Sequence, residues 1–321
     1  MSIVIDSHIP FVVEAVRKEW PDVDICPMKP DEIGNVAIRN AEVLIVRTRT
    51  RVNADLLADS NVKMVCTATI GFDHLDTAYC EAHGIRWMSC PGCNAQAVCD
   101  YIEEAIEEIQ NSKFKIQNSS PTIGVVGVGH VGSLVAKMAE RKGYKVLLND
   151  PPKGIGVSLD ETAQNSDIIT FHVPLDKSTY HLCDEVLLSK CKPGAVIINA
   201  ARGGVVDEQV LLRSGHPYIL DTWQNEPAIN KEVLQKAFRA SMHIAGYSVE
   251  GKRNASQMCL DAIAAQFGLP RIDLSAYSYP GPVSKHSGEP WLAAVTTQLK
   301  AHPEQFENLR KHYPLRSSEP A

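Results

Sequence analysis

Three short segments late in the chain hold residue types that could manage a carboxylate and a proton. The first is Asn199-Ala200-Ala201-Arg202-Gly203-Gly204-Val205-Val206-Asp207. The Arg202 guanidinium can grip a carboxylate through two parallel hydrogen bonds and polarise a neighbouring carbonyl, and the glycines beside it let a ligand approach. A lone arginine in a loop is commonly just solvated, so this segment decides nothing by itself. The second and third segments are Asp221-Thr222-Trp223-Gln224-Asn225-Glu226-Pro227 and His243-Ile244-Ala245-Gly246-Tyr247. Moving a hydride at a carbinol carbon requires a partner for the hydroxyl proton, and an imidazole serves near neutral pH. A carboxylate such as Glu226 would fix the tautomer of that imidazole and favour its protonated form. Taken singly, His243 also reads as a capped or core histidine and Glu226 as a solvated loop acid. Spacing does not pair them.

A fourth segment, Gly127-Val128-Gly129-His130-Val131-Gly132, is a G-x-G-x-x-G motif with a supporting context. It follows the apolar run Ile123–Val126 and opens a helical pattern over Val131–Arg141. A second strand pattern, Lys145–Asn149, then ends at Asp150, 18 residues after the last glycine. Gly127 suits the tight turn, Gly129 a close approach of backbone to a pyrophosphate, and Gly132 close helix–strand packing. The Asp150 carboxylate can accept from ribose hydroxyls and would repel a 2′-phosphate, which favours NAD over NADP.

The elements that must position these residues alternate short β-branched runs with helical patterns, an α/β architecture with parallel strands. Ser2–Asp6, Val43–Arg47, Met64–Thr67 and Ile85–Met88 form an early series of strands. Thr122–Gly127, Lys145–Asn149, Asp167–His172, Ala195–Asn199 and Tyr218–Asp221 form a later series, as a doubly wound Rossmann-type sheet requires. In the pattern Asn94–Gln110, residues Val98, Ile102, Ala105, Ile106 and Ile109 make one apolar helical stripe. A second helical pattern, Ser248–Phe267, carries Met258, Ile263 and Phe267. These two read as crossings into and out of the later domain. The expected division is residues 1–93 as the first part of a discontinuous α/β substrate domain, 94–246 as the NAD-binding domain, 247–268 as the return helix, and 269–321 as a C-terminal region. The last of these holds prolines, glycines and a polar helical pattern near Pro303–Lys311.

Composition excludes several classes of function. A formal net charge of -6 gives no general attraction to nucleic acid or anionic membranes. No apolar run approaches the roughly 20 residues that span a bilayer. The first residues lack the basic and apolar regions of a signal peptide, and the nine cysteines are odd in number and scattered, so a reduced, cytoplasmic protein is expected. Cys90-Pro91-Gly92-Cys93 lacks both a thioredoxin-like setting and a second ligand pair, so no metal is expected and the motif reads as a loop between domains.

Together these motifs resemble the D-2-hydroxyacid dehydrogenase family. The resemblance runs from near residue 1 to about Phe267, with an echo in Phe306-Glu307-Asn308-Leu309-Arg310-Lys311. The glycine loop, Ala201-Arg202-Gly203, Glu226-Pro227 and His243-Ile244-Ala245-Gly246 are general to that family. Thr67-Ala68-Thr69, Pro91-Gly92-Cys93-Asn94-Ala95, Asp150-Pro151-Pro152, and Gly246-Tyr247 followed by Glu250-Gly251-Lys252 resemble its branch acting on phosphoerythronate. The resemblance implies a Rossmann-type domain joined to a flavodoxin-like α/β substrate domain. It implies Arg202 and Glu226 in the active site, with His243 as proton donor or acceptor. It also implies cofactor contacts from the glycine loop with His130 and Val131, and from Asp150, Val173, Asp221 and Gly246. For the substrate it points to Thr48, Thr67 and Tyr247. The implied reaction oxidises 4-phospho-D-erythronate to 3-hydroxy-2-oxo-4-phosphobutanoate with NAD, in vitamin B6 biosynthesis.

A phosphorylated substrate needs cations, and Arg47, beside Thr48, is the favoured one of Arg47, Arg49 and Arg51, which alternate at strand spacing. Two other readings stay open: a dehydrogenase for glycerate or phosphoglycerate, and a non-catalytic NAD-sensing protein. The chain departs from its relatives at Glu103, Glu104, Glu107 and Glu108, acids on a helix that is largely apolar in relatives, and in a shorter C-terminal region. Four clustered acids resist burial unless paired, so the expected homodimer has a reduced or altered interface.

Overall fold

A computed structural model describes residues 1–114, 116, 120–284 and 291–317 of the 321. They form two compact units. One comprises Met1–Asn94, Ser248–Val283 and Ser317, and the other Ala95–Tyr247 and Ser284–Arg316.

The first unit is built on five strands: β1 (Ser2–Asp6), β2 (Asp24–Met28), β3 (Val43–Val46), β4 (Met64–Thr67) and β5 (Arg86–Met88). They pair in parallel in the order β2-β1-β3-β4-β5, the flavodoxin-like arrangement. β3 and β4 are buried at every position, as strands covered on both faces must be. β2 was not expected. It lies at the sheet edge, where Pro27 is tolerated and exposure erases the apolar pattern. The helix Val249–Phe267 belongs to this unit and buries Ala255, Cys259, Leu260 and Ile263, while Met258 and Phe267 are only half-buried.

The second unit holds seven strands: β6 (Thr122–Val126), β7 (Lys145–Asp150), β8 (Ile155–Gly156), β9 (Ile168–Phe171), β10 (Val196–Asn199), β11 (Tyr218–Leu220) and β12 (Arg239–Ala240). The order is β12-β11-β10-β9-β6-β7-β8, parallel throughout except for the short antiparallel β8. Successive side chains divide between two cores. Ile123, Val125, Ile168, Val196, Ile198 and Ile219 face one, and Val126, Ile169, Phe171, Ile197 and Leu220 face the other. That period-two division is what a sheet covered on both faces demands. The helix Ala95–Gln110 packs its stripe of Val98, Ile102, Ala105, Ile106 and Ile109 into the first core, each large side chain contributing about 2 kcal/mol by burial.

The region after residue 268 does not stand apart as the sequence suggested. Ile272, Leu274 and Tyr277 are buried in the first unit, where the Trp20 indole donates to the Pro270 carbonyl. Leu292, Val295, Leu299 and Phe306 instead enter the two cores of the second unit, on the helices Trp291–Ala301 and Phe306–His312. Thr296 Oγ1 accepts from Ala240 N at 2.9 Å, so the first of these helices covers the exposed edge of β12.

The four acids of Ala95–Gln110 are mostly matched. Lys142 bonds Glu103 and Glu107, and Glu108, 6% exposed, meets Arg239 and the backbone N–H of Ala293. Glu104 keeps a raised carboxyl because burial, then the neighbouring Glu108 and Glu107, disfavour its charge.

Candidate active site

The glycine loop leaves β6 and enters the helix His130–Arg141. Gly127 has φ +89°, and a Cβ there would stand 2.7 Å from the His172 carbonyl oxygen. A Cβ on Gly132 would lie 1.9 Å from the Gly127 oxygen, so only glycine lets the helix start this close to the strand. Gly129 has open space where its Cβ would be, and as N-cap it supplies no side chain to the first turn of the helix. His130 and Val131 form that first turn. Gly127 and Gly132 therefore meet backbone requirements of this turn, and the helix N-terminus presents N–H groups and a positive dipole end that suit an anion.

Asp150 ends β7 and is 8% exposed. Its Oδ2 accepts from Val128 N at 2.8 Å, which ties the acid to the glycine loop. Lys153 Nζ, 3.5 Å from the same oxygen, also donates to the Val128 carbonyl at 2.7 Å. Val173 and Gly246 are half-buried, and Val173 lies at 2.8 Å from where a Gly127 Cβ would be.

His243 and Glu226 come together. Nδ1 of His243 is 2.8 Å from Glu226 Oε2, while Glu226 Oε1 accepts from Trp223 N at 2.9 Å. Burial works to raise the Glu226 carboxyl, but the hydrogen bond and charge of His243 and the Trp223 N–H outweigh it and hold it below the usual range. His243 itself has φ +59°, a left-handed conformation that costs about 1 kcal/mol or more in a non-glycine residue.

Two buried charges fix that loop. Asp221, 1% exposed, accepts from Ile244 N at 2.8 Å, Ala245 N at 3.0 Å and Ser241 Oγ at 2.6 Å, and its carbonyl accepts from His243 N. On the carbonyl side Arg316, 7% exposed, donates to Ile244, Ala245 and Tyr247 oxygens. Asp221 was expected to touch cofactor. Its carboxylate braces the strained loop, whose N–H groups must be satisfied when buried, and Oδ2, with one bond from Ala245 N, keeps acceptor capacity.

Arg202 is extended and half-buried, and Nη1 donates to the Ala201 carbonyl at 2.8 Å. Asn199 braces the turn, donating to the Arg202 carbonyl at 2.8 Å and accepting from Ala201 N at 3.1 Å. A Cβ on Gly203 would lie 2.0 Å from the Trp223 oxygen, so the arginine segment is pressed directly against the segment bearing Glu226. Glu208, 2% exposed, reinforces this contact by accepting from Gln224 N at 2.5 Å. Tyr247 Oη accepts from Arg310 Nε at 3.1 Å.

The other substrate candidates lie in the first unit. Arg47 was favoured for phosphate, but its guanidinium makes two bonds, of 2.7 and 3.3 Å, to the fully buried Asp6. A buried carboxylate needs such a partner, and Asp6 takes Arg47 for that purpose. Thr48 follows β3 and is exposed. Thr67 is fully buried. Its hydroxyl lies 2.7 Å from Thr69 Oγ1 and 2.9 Å from His74 Nε2, and because Thr69 donates onward to the Gly71 carbonyl, Thr67 must donate to Thr69 and accept from His74.

Glu208, Arg310 and Arg316 were not foreseen. Glu208 could have been suspected from its place next to Asp207 in the arginine segment, and Arg310 from the segment Phe306-Glu307-Asn308-Leu309-Arg310-Lys311, whereas Arg316 acts about 70 residues away in sequence and carries no motif. Among the described residues no cluster of histidine, cysteine and acidic side chains could hold a metal, and no helix is long and apolar enough to cross a membrane.

The family described as D-isomer specific 2-hydroxyacid dehydrogenase, NAD binding domain, matches residues 97–252. An erythronate-4-phosphate dehydrogenase of Bacteroides thetaiotaomicron is 41% identical over all of this chain and 98% of the relative. That of Porphyromonas gingivalis is 37% identical over 98% of this chain and 92% of the relative. Among solved structures, an NAD-bound 3-phosphoglycerate dehydrogenase of Entamoeba histolytica superposes with a TM-score of 0.68 at 25% identity, covering 87% of this chain and 99% of that one. A D-lactate dehydrogenase of Aquifex aeolicus has the same fold, with a TM-score of 0.66 at 24% identity over 83% of this chain and 95% of that one. The chain belongs to the D-isomer-specific 2-hydroxyacid dehydrogenases, in the branch of the erythronate-4-phosphate dehydrogenases.

Proposed function

We propose that the protein oxidises the 2-hydroxyl of 4-phospho-D-erythronate, giving 3-hydroxy-2-oxo-4-phosphobutanoate, as an NAD-dependent enzyme of vitamin B6 biosynthesis. The observation that carries this reading is the Glu226–His243 pair, 2.8 Å apart on a loop locked by Asp221 and Arg316. With Nδ1–H donating to Glu226, Nε2 of His243 is left as the acceptor for the substrate hydroxyl proton. Glu226 stays ionised, so it fixes the tautomer and then stabilises the imidazolium that forms. Arg202 takes the substrate carboxylate and orients the reacting carbon. The residues that hold NAD are Gly127, Gly129, His130, Val131 and Gly132 at the pyrophosphate, Asp150 at the ribose, and Val173 and Gly246 at the loops beside them. When bound, NAD supplies the acceptor for the two electrons and the hydrogen that leave the carbinol carbon. Thr48 and Tyr247 complete the substrate contacts, and the protein works as a cytoplasmic homodimer with a reduced interface.

Purified protein with NAD should form NADH with 4-phospho-D-erythronate and not with D-glycerate or D-3-phosphoglycerate. The His243→Ala variant should lose about 10²- to 10⁴-fold in rate while still binding NAD. NADH formation with one of the other acids alone would replace the substrate and keep the mechanism. An unimpaired His243→Ala variant would remove the proton-transfer assignment.

A further inference from the structure

The substrate proposed above carries an anion at each end, and Arg202 accounts for only one. The phosphorus lies about 5 Å from the reacting carbon, four bonds along a short chain. The group that meets the phosphate must therefore stand close to the loop bearing His243. Arg47 is engaged with buried Asp6 and is poorly suited to the task.

Arg310 stands in the right place. It lies on the helix Phe306–His312, in the same unit as His243, with its side chain 25% exposed. Nε donates to the phenol oxygen of Tyr247, which is four residues beyond His243, and the guanidinium carbon is 6.0 Å from the ring centroid. Its charge also reaches Glu226 and helps keep that carboxyl ionised. The remaining partner, Glu307 Oε1, is 3.4 Å from Nη1 and 40% exposed, a long pair in a partly solvated setting that contributes little. We propose that Arg310, with Tyr247 held against it, receives the phosphate of the substrate and so selects 4-phosphorylated over plain 2-hydroxy acids.

The assignment rests on the phosphoerythronate reading, and it follows from guanidinium chemistry. A planar fork presents several N–H donors to the three oxygens of a phosphate, and partial burial strengthens each bond. Phosphate outcompetes the long contact to Glu307 because it brings nearly two charges and more acceptors.

The test compares wild type, Arg310→Met and Arg310→Lys, each with NAD, on 4-phospho-D-erythronate and on D-erythronate, together with calorimetry of inorganic phosphate binding to the NAD-bound protein. In Arg310→Met, kcat/KM for the phosphorylated substrate should fall about 30-fold or more, mainly through KM, and at least about tenfold further than that for D-erythronate, which loses only the Tyr247 and Glu226 support that both substrates share. Phosphate binding should weaken in parallel, NAD affinity should hold, and Arg310→Lys should recover part of the loss. Equal losses on both substrates, or unchanged phosphate binding, would overturn the assignment. Phosphate bound through Arg310 in a wild-type protein that does not oxidise 4-phospho-D-erythronate would sink the proposed reaction and leave the anion site standing.

Discussion

Glu226 is held from two directions, by the Trp223 N–H at 2.9 Å and by His243 at 2.8 Å, so its carboxylate is a fixed support for the imidazole. Replacing it by glutamine keeps the shape and removes the charge. The imidazolium formed during oxidation then loses its counter-ion, and the rate should fall about 10²-fold or more. Initial-rate kinetics of Glu226→Gln on 4-phospho-D-erythronate check this, and a variant within about threefold of wild type would show that Glu226 acts on geometry alone. At this scale much was readable from the sequence. The residue types of Arg202, Glu226 and His243 suggested their chemistry, and the glycine spacing matches backbone needs visible at Gly127 and Gly132. What could not be read was how other groups are already occupied. Arg47 pairs with Asp6 and Asp221 with the loop N–H groups, and both partnerships depend on burial that emerges only when distant segments fold together.

Among the elements, the contact between the Arg202 segment and the Glu226 segment is the most consequential. Gly203 permits it and Glu208 secures it through Gln224 N, at the cost of enclosing a carboxyl beside Asp207 and Glu226. Burial pushes Glu208 up to about 7 from the ordinary 4.5, so the folded protein binds that proton more tightly than the unfolded chain. The stabilisation is complete below the unfolded value and disappears as pH rises through 7, a swing of about 3 kcal/mol. Glu208→Gln retains an acceptor for Gln224 N and has no charge to enclose. Urea unfolding of both proteins between pH 5 and pH 8.5 should therefore show the variant gaining on wild type by up to about 3 kcal/mol as pH rises. Parallel pH dependences would mean that Glu208 is not the buried titrating group. The elements themselves were legible where periodicity is strong, as in the helix Ala95–Gln110 and the buried strands. β2 was lost because an edge strand with Pro27 carries no apolar alternation, and β12 because two residues carry no period at all. The helix Trp291–Ala301 was lost among the prolines and glycines that precede it, although Leu292, Val295 and Leu299 do recur at helical spacing.

For the whole molecule, the division into two α/β units was legible from the two series of strands, and the allotment of the C-terminal residues was not. Residues 291–316 read as a shortened appendage, yet they complete the second unit. Phe306 fills its core, Arg316 clamps the loop of His243, and Arg310 meets Tyr247. Their role follows from long-range packing, which the helical spacing of Leu292, Val295 and Leu299 and the segment Phe306–Lys311 do not by themselves reveal. The acids of Ala95–Gln110 bear on assembly in a similar way. Lys142 and Arg239 already balance Glu103, Glu107 and Glu108 within one chain, so these carboxylates bring less desolvation cost to an interface than four unmatched acids would. We therefore expect light scattering at micromolar protein to give a mass near 70 kDa, twice the 35.2 kDa of one chain. A protein that is monomeric at that concentration would rule out the dimer. If such a monomer still oxidised 4-phospho-D-erythronate at full rate, every cation meeting the substrate would have to come from a single chain, and the case for Arg310 would strengthen. If activity instead fell with dilution as the dimer dissociated, a partner subunit would be contributing to the site or to its rigidity, and the kinetics of Arg310→Met would need to be read in the assembled form.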